Sequence, residues 1–561
     1  MLQRLRHPGR FILDFDEQTQ EVSLETAERL LERILLEAKD LCRADGGTVY
    51  VLTDDDHLRV AILRNDTMEL AQGGSTGVEI QVPLIALRDE RGRPNLRHMA
   101  TVAANQLKSV NVPDTYTAAD YDFSGTRAID EANSYRTTSV LTIPLVNDRG
   151  TLIGVLQLIN ARDPEGVVIE FSSEQQRAAE ALSRQAAVAL DNQLLHEQQK
   201  VLLESFIRMI ASSIDAKSPY TGGHCERVPI LLEMLTQAAV SQEDGPLADF
   251  TLSEDEWYEL RIAGWLHDCG KVITPVHVMD KATKLERVWD RVAAVATRIE
   301  VIKRDLILNA VRDGTSFLDA EEMTRPQREQ LDEVLSFIRR VNQGGEFLPD
   351  EDKDRLASLA EYTYMEGGEQ RTLLDADELE NLCISRGTLT EAERVIINGH
   401  MVHTILMLEA LPFPKHMQRV PEYAGGHHEK MDGSGYPKGL YAGDMSIPAR
   451  MLAIADVFEA LTAMDRPYKK PKKLSEAMRI MGFMKKDSHL DPVLLDLFVR
   501  EGLYLDYARR YLPEELIDEV DAEALLAIEP KPVELPPPHE RDRAVGSFLP
   551  EYRVLLRRSE D

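Results

Sequence analysis

The run from Ser173 to about Ala216 constrains the fold of this chain most, because it contains neither glycine nor proline. Helices of globular domains average about 11–12 residues, so an unbroken helix here is long enough to divide the molecule into a part before and a part after. Ser173 and Gln176 have the spacing of a capping box, which fixes its start. Leu195, Leu202 and Met209 recur every seven residues with Phe206 between them, the pattern of a parallel coiled coil over part of the length. Such a helix can carry a rotation or a register change from one part to the other. An amphipathic linker packed on its own domain is the alternative reading.

Before the long helix, the pattern is mixed. From Ser23 to Cys42 apolar residues fall at helical spacing (Leu30, Leu31, Ile34, Leu35, Ala38, Leu41), ADGG at 44–47 ends that helix, and TVYVLTD reads as a strand. TSVLTIPLV, the turn NDRG at 147–150 and TLIGVLQLIN together read as a hairpin. Helices bracketing short strands predict an α+β domain. RTTSVLTIPLVNDRGTLIGVLQLIN, preceded by NVPDTYTAADYDFSG, resembles the latter half of a GAF domain over residues 22–172. The resemblance implies a sensory domain that takes a small ligand or serves to dimerise. No cysteine stands where a bilin attaches, and no cyclic-nucleotide recognition motif is evident, so the ligand is left open.

After the long helix the informative residues are histidines on apolar segments. His224 lies in SPYTGGHCERV, His267 and Asp268 in IAGWLHDCGK, and His400 in EAERVIINGHMVHT with His403 three residues on. His427 and His428 open HHEKMDGSGYPKGL, and Asp456 lies in ARMLAIADVFEALT. A buried imidazole or carboxylate is costly unless each finds a partner. Five histidines and two carboxylates without a thiolate favour Fe, Mn or Zn, and seven ligands exceed the needs of one ion. Lys271, one turn beyond Asp268, places a positive charge beside that cluster, which calls for an anion such as phosphate between them. The overall balance, 96 acidic against 65 basic residues and a formal charge of −31, repels nucleic-acid polymers and anionic membranes but not a small anion held in a local basic pocket. Four cysteines with no CxxC pair argue against a disulfide framework. No apolar run nears the ~20 residues of a membrane span, and no apolar signal core follows the N-terminus. The expected compartment is the cytoplasm.

HDCGK, His400, HHEKMDGSGYPKGL, ADVFEALTAMDRPYKK and HLDP at 489–492, in that order, resemble an HD-GYP domain, a branch of the HD phosphohydrolases known for hydrolysing cyclic di-GMP. The resemblance covers about 206–281 and 386–505. It implies an all-helical fold with His224, His267, Asp268, His400, His427, His428 and Asp456 as metal ligands and Asp268 as the bridge. It further implies that Asp268 and Lys271 are catalytic, Lys271 contacting phosphate, and that Tyr436, Arg466 and Lys469 lie on the substrate. Members with a third metal carry an extra glutamate just ahead of the upstream histidine. Ser218 to Gly223 contains no acid, so two divalent ions are expected, Fe or Mn ahead of Zn, Ni or Mg.

The expected organisation is an N-terminal extension (1–21), a GAF-like domain (22–172), a signalling helix (173–205), the HD-GYP domain (206–512) and an acidic then proline-rich tail (513–561), extended or poorly ordered. Leu285, Val288, Val292, Val295, Ile299, Ile302 and Leu306, then Leu331, Val334, Ile338 and Val341, predict a two-helix hairpin inserted at 282–385. The function that the resemblance implies is hydrolysis of cyclic di-GMP to pGpG and on to GMP, under GAF control, in a homodimer joined through GAF and linker helix. Action on another cyclic dinucleotide and silent binding of cyclic di-GMP are the alternatives. The leaving 3′-oxygen needs a proton, for which His403 is the candidate. The KKPKK run at 469–473 reads either as a solvated loop or as a phosphate-steering patch.

Overall fold

The computed structural model describes residues 29–53, 55–217, 223–345, 347–464, 472–537 and 547–556. The chain divides into two compact units, one up to Leu203 and one from Glu204 onward.

The first unit is built on an antiparallel sheet of order β3-β2-β1-β7-β6-β5. Its strands are β1 (Ala44–Leu52), β2 (His57–Asn65), β3 (Leu70–Gln72), β4 (Ile85–Ala86, on β2), β5 (Val110–Val112), β6 (Val140–Val146), β7 (Leu152–Arg162) and β8 (Val168–Ile169, on β7). Alternation along the strands sorts the side chains by face. Leu141, Ile143, Leu145, Leu156 and Leu158 meet Leu31, Leu35 and Ala38 of helix α1 (29–42) and Ala179, Ala187 and Leu190 of α4 (Ser173–Lys217). Val155 meets Ala100 and Ala104 of α2 (Met99–Gln106) with Leu58 of β2. Helix α3 (Ser124–Asn133) precedes the β6–β7 hairpin, which forms at the NDRG turn as the sequence indicates.

Three local expectations are corrected. The glycines of ADGG lie inside β1 rather than before it, because α1 runs close over the strand and a Cβ on Gly47 would stand 2.6 Å from Leu35 Cδ1. Leu41 is exposed rather than part of the buried face of α1. The capping box of α4 is formed one residue earlier, by Ser172 and Gln175: the Gln175 amide donates to Ser172 Oγ, and the Ser172 amide donates to Gln175 Oε1. Gln176 Oε1 instead accepts from Asn111, tying the start of α4 to β5.

The second unit is helical around the site. Helices α5 (His224–Val240), α6 (Glu254–Leu266), α7 (Val276–Met279), α13 (Glu391–Asn398), α14 (His400–Glu409), α15 (Val420–Gly425), α16 (Ile447–Thr462), α17 (Leu474–Lys486), α18 (Pro492–Arg500) and α19 (Leu503–Tyr511) belong to it. The apolar face of α5 (Val228, Leu231, Leu232, Leu235) packs with Met451–Ala455 and Phe458 of α16 and with α17 to α19. Between α7 and α13 stands an insertion of α8 (Val292–Arg312), α9 (Phe317–Met323), α10 (Arg325–Asn342), α11 (Asp350–Ser358), the hairpin β9–β10 (Thr363–Glu366, Glu369–Thr372) and α12 (Ala376–Leu382). It has its own core, in which Val295 and Ile299 meet Leu331, Val334 and Ile338. The expected helix pair is therefore part of a larger α+β insert. Its first helix begins at Val292 rather than Leu285, and Val288 is 92% exposed, because the chain turns at 286–290 before the helix starts.

The tail departs most from expectation. Helix α20 (Ala522–Leu526) packs its leucines on the core of the unit, 517–521 and 528–537 carry no regular structure, and 547–556 return to the domain with a short helix α21 (Arg553–Leu556). No helix among the described residues is long and apolar enough to cross a membrane.

Candidate functional site

Helix ends deliver the imidazoles. His224 opens α5, His267 follows the last residue of α6, His400 opens α14, and His427 and His428 follow α15. Asp456 projects from within α16, and Asp268 heads a 3-10 turn, Cys269–Val272, where the sequence pattern had suggested continued helix. Three of the rings are set by one device. Nδ1 of His267, His400 and His427 lies 2.8, 2.6 and 2.6 Å from the carbonyl oxygen of Gly264, Ile397 and Ala424, each three residues earlier. A carbonyl only accepts, so Nδ1 carries the hydrogen and Nε2 is turned inward.

All seven residues expected around a metal are brought together, in two groups of four that share Asp268, with the ligand-capable atoms of each group within 4.8 Å of one another. The carboxylate-rich quartet is His224, His267, Asp268 and Asp456. His224 Nε2 stands 3.2 Å from Asp456 Oδ1 and 3.4 Å from Asp268 Oδ2, and His267 Nε2 stands 3.2 Å from Asp268 Oδ2. The imidazole-rich quartet is Asp268, His400, His427 and His428. His400 Nε2 is 3.3 Å from Asp268 Oδ1, yet neither atom, nor His427 Nε2, has a hydrogen-bond partner among the described residues, and all three are buried. Each unpaired buried group costs about 1–3 kcal/mol. A divalent cation would satisfy two imidazole lone pairs and a carboxylate oxygen at once, so the donor set fits a metal.

The electrostatics of the two quartets differ. Burial opposes charge on His224 and His267, but the surrounding carboxylates outweigh it. His224 is held well above the ordinary histidine value, and His267 is pushed up to about 9. Burial would raise Asp268 and Asp456, but Lys271 and His267 for the first, and His224 and His267 for the second, hold both well below the usual carboxylate range. Burial, reinforced by neighbouring imidazoles, pushes His427 down to about 4 and His428 well below its ordinary value. Lys271 reaches Asp268 Oδ2 from the 3-10 turn, and Asp268 with Asp456 keeps it protonated against the cost of its burial.

The loop after His428 is pinned from below. Glu429 accepts the backbone N–H groups of Lys438 (2.7 Å), Gly439 (3.0 Å) and Leu440 (2.9 Å). Burial raises its carboxyl to about 6 against the pull of those donors. Gly433 takes a positive φ of 77°, and a Cβ on Gly435 would come within 2.4 Å of Glu429 Cα, so the DGSGY turn needs its glycines as the sequence implies. Tyr436 is stacked on His428, ring centroids 4.9 Å apart.

Arg466 and Lys469 lie outside the described residues, as does 218–222, which bears on the third-metal expectation. His403 is half-buried on α14 and belongs to neither quartet. Two residues escaped the sequence reading. Glu459, one turn beyond Asp456, accepts from His224 Nδ1 and from Arg227 (Nε–Oε1, 2.7 Å), so it orients that imidazole. A second carboxylate on the apolar helix ADVFEALT was the available signal. Glu429 was visible in HHEK, but its role depends on backbone groups about ten residues on.

Residues 26–190 match the GAF domain model, and residues 376–494 match the HD domain model. The chain carries a GAF domain and an HD domain. Among curated relatives, a probable cyclic di-GMP phosphodiesterase of Vibrio cholerae is 30% identical over 224 residues, 38% of this chain and 50% of that protein. A 3′3′-cGAMP-specific phosphodiesterase of the same organism is 40% identical over 123 residues, 22% of this chain and 28% of its own. A cyclic di-GMP phosphodiesterase of Pseudomonas aeruginosa is 38% identical over 119 residues, 21% of this chain and 28% of its own. The matches thus span half or less of these relatives' lengths. His400, His427, His428 and Asp456 fall inside the matched HD domain, whereas His224, His267 and Asp268 precede it.

Proposed function

We propose that this chain is a metal-dependent phosphodiesterase that hydrolyses cyclic di-GMP to pGpG under the control of its GAF domain. The observation that carries the reading is the pair of quartets joined through Asp268, with the charged Lys271 against the shared carboxylate. His224, His267, Asp268 and Asp456 would hold one divalent ion, and Asp268, His400, His427 and His428 the other, Fe or Mn suiting an imidazole and carboxylate donor set. When bound, such a pair supplies Lewis-acid charge and a nucleophile at neutral pH. Lys271 offers its ammonium to a non-bridging phosphate oxygen, where negative charge grows during the reaction. Tyr436 borders the site as rim, and Arg466 and Lys469 are assigned to the dinucleotide. Leu202, Phe206 and Met209 are exposed along α4, which supports pairing with a second copy through that helix.

A second reading changes only the substrate. The 40% identity to a 3′3′-cGAMP-specific enzyme favours that mixed cyclic dinucleotide as a competitor. The decisive experiment is anaerobic purification, metal analysis and incubation with cyclic di-GMP and 3′3′-cGAMP in parallel. Linear product from the first and little from the second is expected, and Asp268→Ala should lose turnover by at least about 10²–10³-fold. Activity that survives Asp268→Ala with metal content intact would show that the site is wrongly assigned.

A further inference from the structure

The tail segment 547–556 lies on two of the elements that carry the imidazole-rich quartet. On the loop after His428, the Leu549 amide donates to Pro437 O at 2.9 Å, the Lys438 ammonium sits 5.7 Å from the centre of the Phe548 ring, and the Tyr552 ring is 6.1 Å from that of Tyr436. At the junction of α13 and α14, Asn398 Nδ2 donates to Tyr552 Oη (3.2 Å), and a Cβ on Gly399 would come within 2.4 Å of Leu555 Cδ1. Gly399 is the residue before His400. Tyr552 is only 5% exposed, so the contact is a packed one. Tyr436 is thereby placed between Tyr552 and His428, whose own ring meets that of His400 at 5.2 Å.

We propose that this segment is a brace for the imidazole-rich quartet. It holds the His400 helix start and the His428 loop at a fixed separation, with Tyr552 as the positioning residue acting through Tyr436 and Asn398. The contacts just described fall on the elements of His400 and His428, whereas the carboxylate-rich quartet is oriented from its own side by Glu459 and Arg227. The brace is therefore selective for one of two metal positions. This inference rests on the two-metal reading above.

The test strips the full chain of metal and titrates it with Mn²⁺, following free Mn²⁺ by electron paramagnetic resonance. The unaltered chain should bind two ions. Tyr552→Ala, and separately a chain ending at residue 546, should leave one ion at its original affinity and weaken the other by about tenfold or more, the range for partners that orient ligands. Tyr552→Phe keeps the ring and should recover most of the loss. Combined with His400→Ala, Tyr552→Ala should add nothing, whereas combined with His224→Ala it should keep its full effect. Two ions bound at unaltered affinity in both tail variants, or both ions weakened equally, would overturn the brace while the two-metal reading stood. Fewer than two ions on the unaltered chain would overturn that reading itself.

Discussion

The two quartets share a carboxylate and little else. In the carboxylate-rich one, the buried charges already answer one another: His224 and His267, raised above the ordinary histidine value, face Asp268, Asp456 and Glu459. Without a cation that half remains internally satisfied. In the imidazole-rich one, His400 aims a bare Nε2 at an Asp268 oxygen that also lacks a partner, and His427 Nε2 is likewise bare and buried in the same cluster. On the two-metal reading proposed above, the two positions would be held by opposite strategies, one by exchanging protons for the ion and the other by withholding every alternative partner.

The largest test of this contrast uses metal-free protein in the presence of chelator. His224→Ala leaves buried Asp456 and Glu459 without their imidazole, so unfolding by denaturant should show a loss of about 3–5 kcal/mol, the scale for breaking a buried pair. His400→Ala removes an unpaired Nε2 together with one hydrogen bond, Nδ1–H to Ile397 O, and should cost metal-free stability about 1–2 kcal/mol, clearly less than His224→Ala. Equal losses would erase the distinction. Next in size, Glu459→Gln should weaken Mn²⁺ at one position by about 10–100-fold and spare the other, read from a binding titration with two resolved classes. The smallest effect concerns His489, a half-buried imidazole outside both quartets, which its partial burial pushes down to about 4. The unfolded chain takes up a proton near pH 6.5, so His489 contributes stability above that pH which is lost as pH falls toward about 4. His489→Gln should therefore flatten the fall of Tm with acidification in that window relative to the parent chain. An unchanged slope would mean that His489 is not held neutral by the fold.

Much of this was legible from residues alone, and the misses share a cause. Periodicity locates α1, the β6–β7 hairpin and α4, since each buries a face whose spacing is written locally. The seven clustered residues stood out because imidazoles and carboxylates on apolar segments have few inexpensive homes. Gly47 was misread as a terminator because its demand comes from Leu35 on another element. Val288 was misread as core because the register of α8 starts later than the apolar pattern does. Tyr552 carried no signal: its partners, Asn398 and Tyr436, lie far away in sequence, and its proline-rich neighbourhood suggests a chain without contacts.

The insertion has a bearing on how such a site comes to form at all. Thr388 Oγ1 donates to Lys281 O at 2.9 Å, so the two ends of the inserted α+β element meet at its base. With a core of its own, the insert can condense independently and close that gap from outside the host domain. The search for contact between Asp268 and His400 then runs over a much shorter effective path than their sequence separation suggests, and the entropic cost of closing the loop falls accordingly. An insert that looks like an interruption of the helical unit would thus serve, during folding, as a splice.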